Sequence, residues 1–190
     1  MNAEIDISNV ILKTPRLILR PWRESDLEDF FEYASVDGVG QMAGWAPHKD
    51  RDASREVLNR FIEGKKTFAL EYQGKVVGSL GIEKYKEEDA PEFENLRCRE
   101  LGFILAKPCW GMGLMPEAVR EVQRYCFEDL GLDALFCGHF IRNERSRRVQ
   151  EKCGFAHYSF IDFETRIGTV EKTELRLLTR EDYFARRNAE

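Results

Sequence analysis

The sequence predicts an α+β fold in which a mixed, largely antiparallel sheet carries helices on both faces. Strand-like and helix-like stretches are interleaved along the chain instead of falling into separate halves. Two pairs of strands, 67–72 with 76–82 and 155–163 with 170–178, are joined by short glycine-bearing connections and read as hairpins. Between them a strand at 97–105 is followed by a helix and a second strand at 134–141, a passage that closes as a parallel crossover. With 190 residues, 43% of them hydrophobic, the chain has the size and apolar content of a single domain, 1–190, around one core.

Each element follows from local pattern. At 16–20, Leu17 and Leu19 alternate with other side chains, and Pro21, which has no N–H to give a ladder, stops the strand. Ser25 is the candidate cap of a helix to about Ser35, because Leu27, Phe30, Phe31 and Ala34 return at helical intervals. Residues 36–50 hold three glycines and a proline and read as a loop or broken helix; a second helix at 52–63 puts Val57, Leu58, Phe61 and Ile62 on one side. The charged stretch 84–95 contains Pro91 and no period, so it reads as an exposed connection. Ala118, Val119, Val122, Tyr125, Cys126 and Leu130 keep helical spacing until Gly131 supplies a stop. Asn143 suits an N-cap for a helix through Lys152 ended by Gly154, and Thr179-x-x-Asp182 opens a short terminal helix.

The turn Trp110-Gly111-Met112-Gly113-Leu114 lies where a buried strand hands over to a helix. The first N–H groups of a helix have no intrahelical partner and carry the positive end of its dipole, and glycine lets backbone approach a ligand with no Cβ in the way. Such a turn suits a pyrophosphate. On the glycines alone, a tight connection with no ligand is the plain alternative.

The neighbours of that turn carry more. The series Leu101-Gly102-Phe103 … Trp110-Gly111-x-Gly113-Leu114-Met115-x-Glu117-Ala118 … Asn143-x-x-Ser146 … Lys152-x-Gly154-Phe155 resembles the GNAT family of N-acetyltransferases. Together with Thr14-Pro15-Arg16-Leu17-Ile18-Leu19-Arg20 and the stretch from Gly74 to Ile82, it is most similar to the branch containing the ribosomal-protein N-terminal acetyltransferases. The resemblance covers roughly residues 14–180. It implies a sheet of about six or seven strands splayed between the fourth and fifth, here 97–105 and 134–141, with acetyl-CoA held in the opening. It implies that the backbone of Phe103, Ile104 and Leu105 pairs with the pantetheine arm, and that amides of Trp110, Gly111, Met112, Gly113, Leu114 and Met115 receive the pyrophosphate. Asn143 would bond the cofactor and Ser146 would lie near its sulfur. Arg147 or Arg148 is a candidate for the 3′-phosphate. Met42, Trp45 and His48 fall in a loop that lines the acceptor side in the family, with ordinary loop packing as the alternative.

Acetyl transfer to an amine needs a base for the ammonium, a proton for the leaving thiolate and close positioning of the partners. Glu100, at the mouth end of its strand, is the candidate base, with a surface position as its alternative; Glu117, in a first helical turn that favours carboxylates anyway, is weaker. Many relatives carry a tyrosine acid where this chain has Gln150, which has no proton to give as an acid, so Ser146 becomes the candidate donor. The family pattern also has Arg or Gln where Pro108 stands here. Cys109 has no nearby His to activate it and reads as a buried thiol. The resemblance implies a primary-amine acceptor, a protein N-terminus or, as the alternative, a small-molecule amine (an antibiotic, polyamine or amino-acid derivative); an acyl-CoA-binding module without turnover is the alternative outside catalysis.

Composition narrows the rest. A net charge of -5 disfavours nucleic acid as a partner despite Arg142, Arg145, Arg147 and Arg148. No run approaches the roughly 18 apolar residues of a membrane span, so the expectation is a cytoplasmic protein, monomeric or homodimeric, without a membrane partner. Five dispersed cysteines and three isolated histidines show no metal-ligand spacing, so no metal is expected.

Overall fold

The computed structural model describes residues 1–188. Strands β1 (Leu12–Lys13) and β2 (Leu17–Pro21) precede helices α1 (Leu27–Ala34) and α2 (Arg51–Gly64), and β3 (Thr67–Tyr72), β4 (Lys75–Glu83) and β5 (Cys98–Leu105) follow. Then come α3 (Leu114–Arg124), β6 (Ala134–Phe140), α4 (Glu144–Lys152), β7 (Ala156–Glu164), β8 (Val170–Thr179) and α5 (Arg180–Arg187). They build one eight-stranded sheet in the order β1-β2-β3-β4-β5-β6-β8-β7. Every neighbouring pair is antiparallel except β5 and β6. The expectation of six or seven strands falls short because β1 has only two residues, paired as Leu12 with Leu19 and Lys13 with Ile18, and so few residues show no alternation.

Several boundaries move for identifiable reasons. Ser25 caps nothing: Glu24–Asp26 forms a 3-10 turn, and Asp26 accepts the Arg23 N–H at 2.8 Å while its two oxygens take the Arg20 guanidinium at 2.8 and 2.9 Å. That pair is buried, and a fork of this kind outcompetes a serine hydroxyl for the turn. Asp50 caps α2 through the Ala53 N–H, Asn143 caps α4 through Ser146, and Thr179 caps α5 through Asp182. The segment 84–95 is less exposed than expected. Tyr85 and Ala90 are buried, Tyr85 stacks on Phe136 and Phe93 meets the same ring edge-on, forming a small second core whose isolated apolar residues show no period.

The main core lies between the sheet and its helices. α1 and α2 pack on each other, α1 against β4 and α2 against β3, with Trp22, Phe30 and Phe61 in mutual ring contact. α3 lies against β1, β2 and α4. Its apolar side, Met115, Ala118, Val119 and Val122, is buried, and the helix runs into a π-helical turn, Tyr125–Asp129, before Gly131 at φ 65° ends it.

What positions the site is the parting of the two parallel strands. β5 and β6 pair only as Cys98 with Ala134, Arg99 with Leu135 and Glu100 with Phe136. Beyond that rung β5 stays on β4 as far as Leu105, while β6 stays on β8 as far as Phe140, so the sheet opens into a V. Where the next rung would stand, the Cys137 thiol donates to the Leu101 carbonyl at 3.2 Å. The splayed strands are those the sequence singled out; they are fifth and sixth in this chain because β1 precedes them. β5 is held tightly on its β4 side, where a Cβ on Gly78 would lie 2.4 Å from the Ile104 carbonyl oxygen.

Gly78→Ala should therefore destabilise the protein by about 2 kcal/mol, since backbone must shift to admit the methyl. Gly102→Ala should not destabilise it, because a Cβ there meets nothing within 4 Å. Urea denaturation of both variants checks the contrast.

Candidate active site

The V forms a cleft of about 610 Å³. One wall is the edge of β5 from Leu101 to Leu105, which has no strand beside it; the other is β6 and the face of α4. Of the residues the sequence proposed, Glu100, Phe103, Ile104, Leu105, Trp110, Gly111, Gly113, Leu114, Met115, Asn143 and Ser146 all line it. Met112 does not. Its side chain is exposed on the outside of the turn and its carbonyl accepts from Arg16 Nη1 at 2.8 Å, because the positive φ of both Gly111 and Gly113 turns that residue away.

The glycine turn is shaped from within and braced from outside. Gly111 and Gly113 have φ 78° and 77°, a region L side chains rarely enter, and a Cβ on Gly111 would meet nothing within 4 Å, which leaves open space above the turn. α3 then begins with Leu114 and Met115, whose side chains are core, so they offer the cleft backbone N–H groups. The Trp110 indole donates to the Leu105 carbonyl at 2.7 Å, closing the end of β5. Glu117 is no base. It accepts from Thr14 Oγ1, the Arg16 N–H and Arg16 Nε, and these partners outweigh a burial effect that alone would raise its carboxyl, leaving it below the usual range.

On the opposite lip, Asn143 uses its Oδ1 to cap α4 and its Nδ2 to reach the Met42 carbonyl at 3.3 Å. That bond ties the 3-10 turn Gly40–Ala43 to the cleft rim. Ser146, three residues further along α4, also lines the cleft. Arg147, proposed for the 3′-phosphate, points away and is paired with Glu144 and Glu151. Arg148 does line the cleft, together with Arg145 and Lys152, which the sequence reading missed. Their spacing of three and seven residues puts all three on one helical face, a signal that was legible. Arg145 lies over the Trp110 ring at 4.5 Å and so reaches across the opening.

Glu100 occupies the vertex, on the last rung that β5 shares with β6. Burial pushes its carboxyl up to about 7; the Gly138 N–H, which it accepts, pulls the other way, and the nearby carboxylates of Asp89 and Glu83 add to the rise. Gly138 leaves room for it, since a Cβ there would sit 3.4 Å from Glu100 Oε1. The cleft is thus acidic at its vertex and cationic, with a helix N-terminus, at its turn. Cys109 is buried, its thiol pushed up by burial, and no histidine bonds it. His48 bonds Ser54 and packs on Trp45 and Phe30, a packing role.

The model of the acetyltransferase (GNAT) domain family matches residues 16–156. The chain belongs to the GNAT acetyltransferases. YoaA of Bacillus subtilis (strain 168), an uncharacterized N-acetyltransferase, is 31% identical over 155 residues, 76% of this chain and 82% of that one. FsC-acetyl coenzyme A-N(2)-transacetylase of Aspergillus fumigatus is 31% identical over 115 residues, 59% of this chain and 49% of the relative, so the match spans about half of that longer protein. The spermidine N-acetyltransferase of Vibrio cholerae, solved with CoA and spermine, superposes with a TM-score of 0.72 at 19% identity over 90% of this chain and 99% of that one, and shares the fold.

GNAT acetyltransferases use acetyl-CoA, and the residues present fit it. An unpaired strand edge takes an extended amide-bearing arm, the open turn over Gly111 takes a diphosphate, and Arg145, Arg148 and Lys152 supply positive charge beside it. Among the described residues no group of three His, Cys, Asp or Glu side chains is placed to hold a metal ion, and no helix is long and apolar enough to cross a membrane.

Gly113→Val should abolish acetyl-CoA binding measured by calorimetry, because it forces a β-branched residue to φ 77° at the start of α3. A second prediction follows from Glu100. Its folded-state pKa lies above the usual 4.5, so the folded protein holds the extra proton between about 4.5 and 7 and loses stability as pH rises through that window. Glu100→Gln removes the penalty. Thermal melts should show the variant more stable than the parent at pH 8, with the gap closing towards pH 5.

Proposed function

We propose that this GNAT protein, acting as one domain, transfers an acetyl group from acetyl-CoA to a primary amine by direct attack in a ternary complex. The observation that carries this reading is the polarity of the cleft: a carboxyl group raised to about 7 at the vertex, cationic side chains and a helix N-terminus at the turn, and an unpaired strand edge between them. Acetyl-CoA, when bound, supplies an acyl group on a thioester whose thiol leaves readily. Glu100 takes the proton from the acceptor's ammonium. A base with a pKa close to the working pH combines a large ionised fraction with real affinity for the proton. Ser146 donates a hydrogen bond to the departing sulfur, whose proton comes from the second N–H that the attacking nitrogen loses as the amide forms, and the backbone of Phe103, Ile104 and Leu105 aligns the thioester with the amine.

The acceptor is an amine carried next to an apolar group. Val39, Met42, Phe140, Ile161 and Phe163 line the cleft together with Glu100 and Asp89. Carboxylates attract the cationic amine, and the apolar side chains receive what bears it. A protein N-terminus satisfies this description and accords with the motifs shared with the ribosomal-protein branch; a small aliphatic amine satisfies it as well.

A thiol-release assay over amines and N-terminal peptides distinguishes the two. With an acceptor that turns over, kcat/KM should rise about tenfold per pH unit below 7 and level off above it. Glu100→Gln should lower kcat by about 10²- to 10³-fold and remove that limb, while acetyl-CoA affinity stays within about twofold. An unchanged profile would remove Glu100 from the mechanism.

A further inference from the structure

Gln150 is fully buried one helical turn after Ser146, at the position where no acid is available, and its amide is completely committed. Nε2 donates to the Gly138 carbonyl at 3.2 Å and to Ser146 Oγ at 3.1 Å, and Oε1 faces His139 Nδ1 at 3.2 Å. The orientation of the amide is dictated, because a backbone carbonyl only accepts and so the nitrogen must face Gly138. Both amide hydrogens are then spent, and His139 must carry its hydrogen on Nδ1. His139 is buried and burial lowers its pKa; its Nε2 makes no hydrogen bond, and Glu174 Oε2 stands 3.4 Å from it.

The consequence lies at Ser146. A serine in a helix ordinarily turns its hydrogen back to a carbonyl of the preceding turn. Here its oxygen accepts from Gln150, and its own hydrogen is left to point into the cleft that Ser146 lines. We infer that Gln150 is a positioning residue for acetyl transfer: anchored by Gly138 and His139, it fixes the Ser146 hydroxyl as a donor towards the thioester sulfur. The inference rests on the reading of Ser146 as the donor at the sulfur and adds what makes it one. The charged groups that border this point, Glu100 from β5, Arg145 and Arg148 from α4, and His139 with Glu174 from β6 and β8, stay in place in the variants below.

The test reads the thiol pKa of bound CoA from its thiolate absorbance, against the complex with desulfo-CoA, and needs no acceptor. A hydroxyl donor stabilises the thiolate, so Ser146→Ala should raise that pKa by about one unit. Gln150→Met, similar in length and without donors, should raise it by at least half as much alone and by nothing further in the Ser146→Ala background. If Gln150→Met fails to fold, Gln150→Glu serves. A carboxylate has no hydrogen to give, and a protonated carboxyl spends its one hydrogen on Gly138, so Ser146 must turn its proton inward in either state and the thiol pKa should rise in the same way. A Ser146→Ala variant with an unmoved thiol pKa would refute the reading of Ser146 itself. A shift with Ser146→Ala but none with Gln150→Met or Gln150→Glu, or equal shifts in both backgrounds, would overturn the role given to Gln150 and leave it a structural residue.

Discussion

The rest of the structure depends on one interrupted ladder. A β-strand edge presents N–H and C=O groups that must find partners, and β5 loses those of β6 after Glu100. Leu101 recovers one from the Cys137 thiol, and Leu105 one from the Trp110 indole. The sheet tolerates the gap because each strand is fully paired on its other side, and because the space between is a cleft in which a ligand or water can satisfy what is left. The function requires this opening. A ligand with amides along its length can complete the sheet, which is the role proposed for the cofactor arm.

Around that opening, charge and bracing are arranged along the chain in a definite order. The glycine turn would be soft by itself, with two glycines at positive φ. Thr14 and Arg16, entering from the start of the sheet, hold it from outside through Glu117 and the Met112 carbonyl. Arg16 pairs with Glu117 at 2.7 Å with one side exposed, so its value lies in fixing geometry more than in stability. At the other end the Glu100 carboxyl is partly buried, and the cost in stability is the source of its basicity at neutral pH.

Much of this was legible in the sequence because it is written in short-range pattern. Gly111 and Gly113 at a strand-to-helix junction, Asn143 as a cap and the hairpin strands are all local signals, and each stands where the pattern puts it. Glu100 was legible as a position, but its raised pKa was not, since burial and the Gly138 N–H come from β6, far along the chain. Met112 shows the converse: the side chain of a residue inside the motif is exposed away from the cleft, because the dihedral angles of its two glycine neighbours decide which way it faces. Arg145 and Lys152 could have been found from their spacing to Arg148, which puts the three on one face of α4. Gln150 was read only as an absent tyrosine; its partners Gly138 and His139 lie on a different element, and nothing in the chain order brings them together.

The central claim is that acetyl-CoA binds as an added strand along β5 and over the turn that follows. Amide hydrogen exchange with and without acetyl-CoA tests it most directly. The account predicts new protection confined to Gly102–Leu105, Gly111–Met115 and the first turn of α4, with β7 and α2 unchanged. Protection that leaves the β5 edge and the glycine turn untouched, or that falls elsewhere on the sheet, would contradict it.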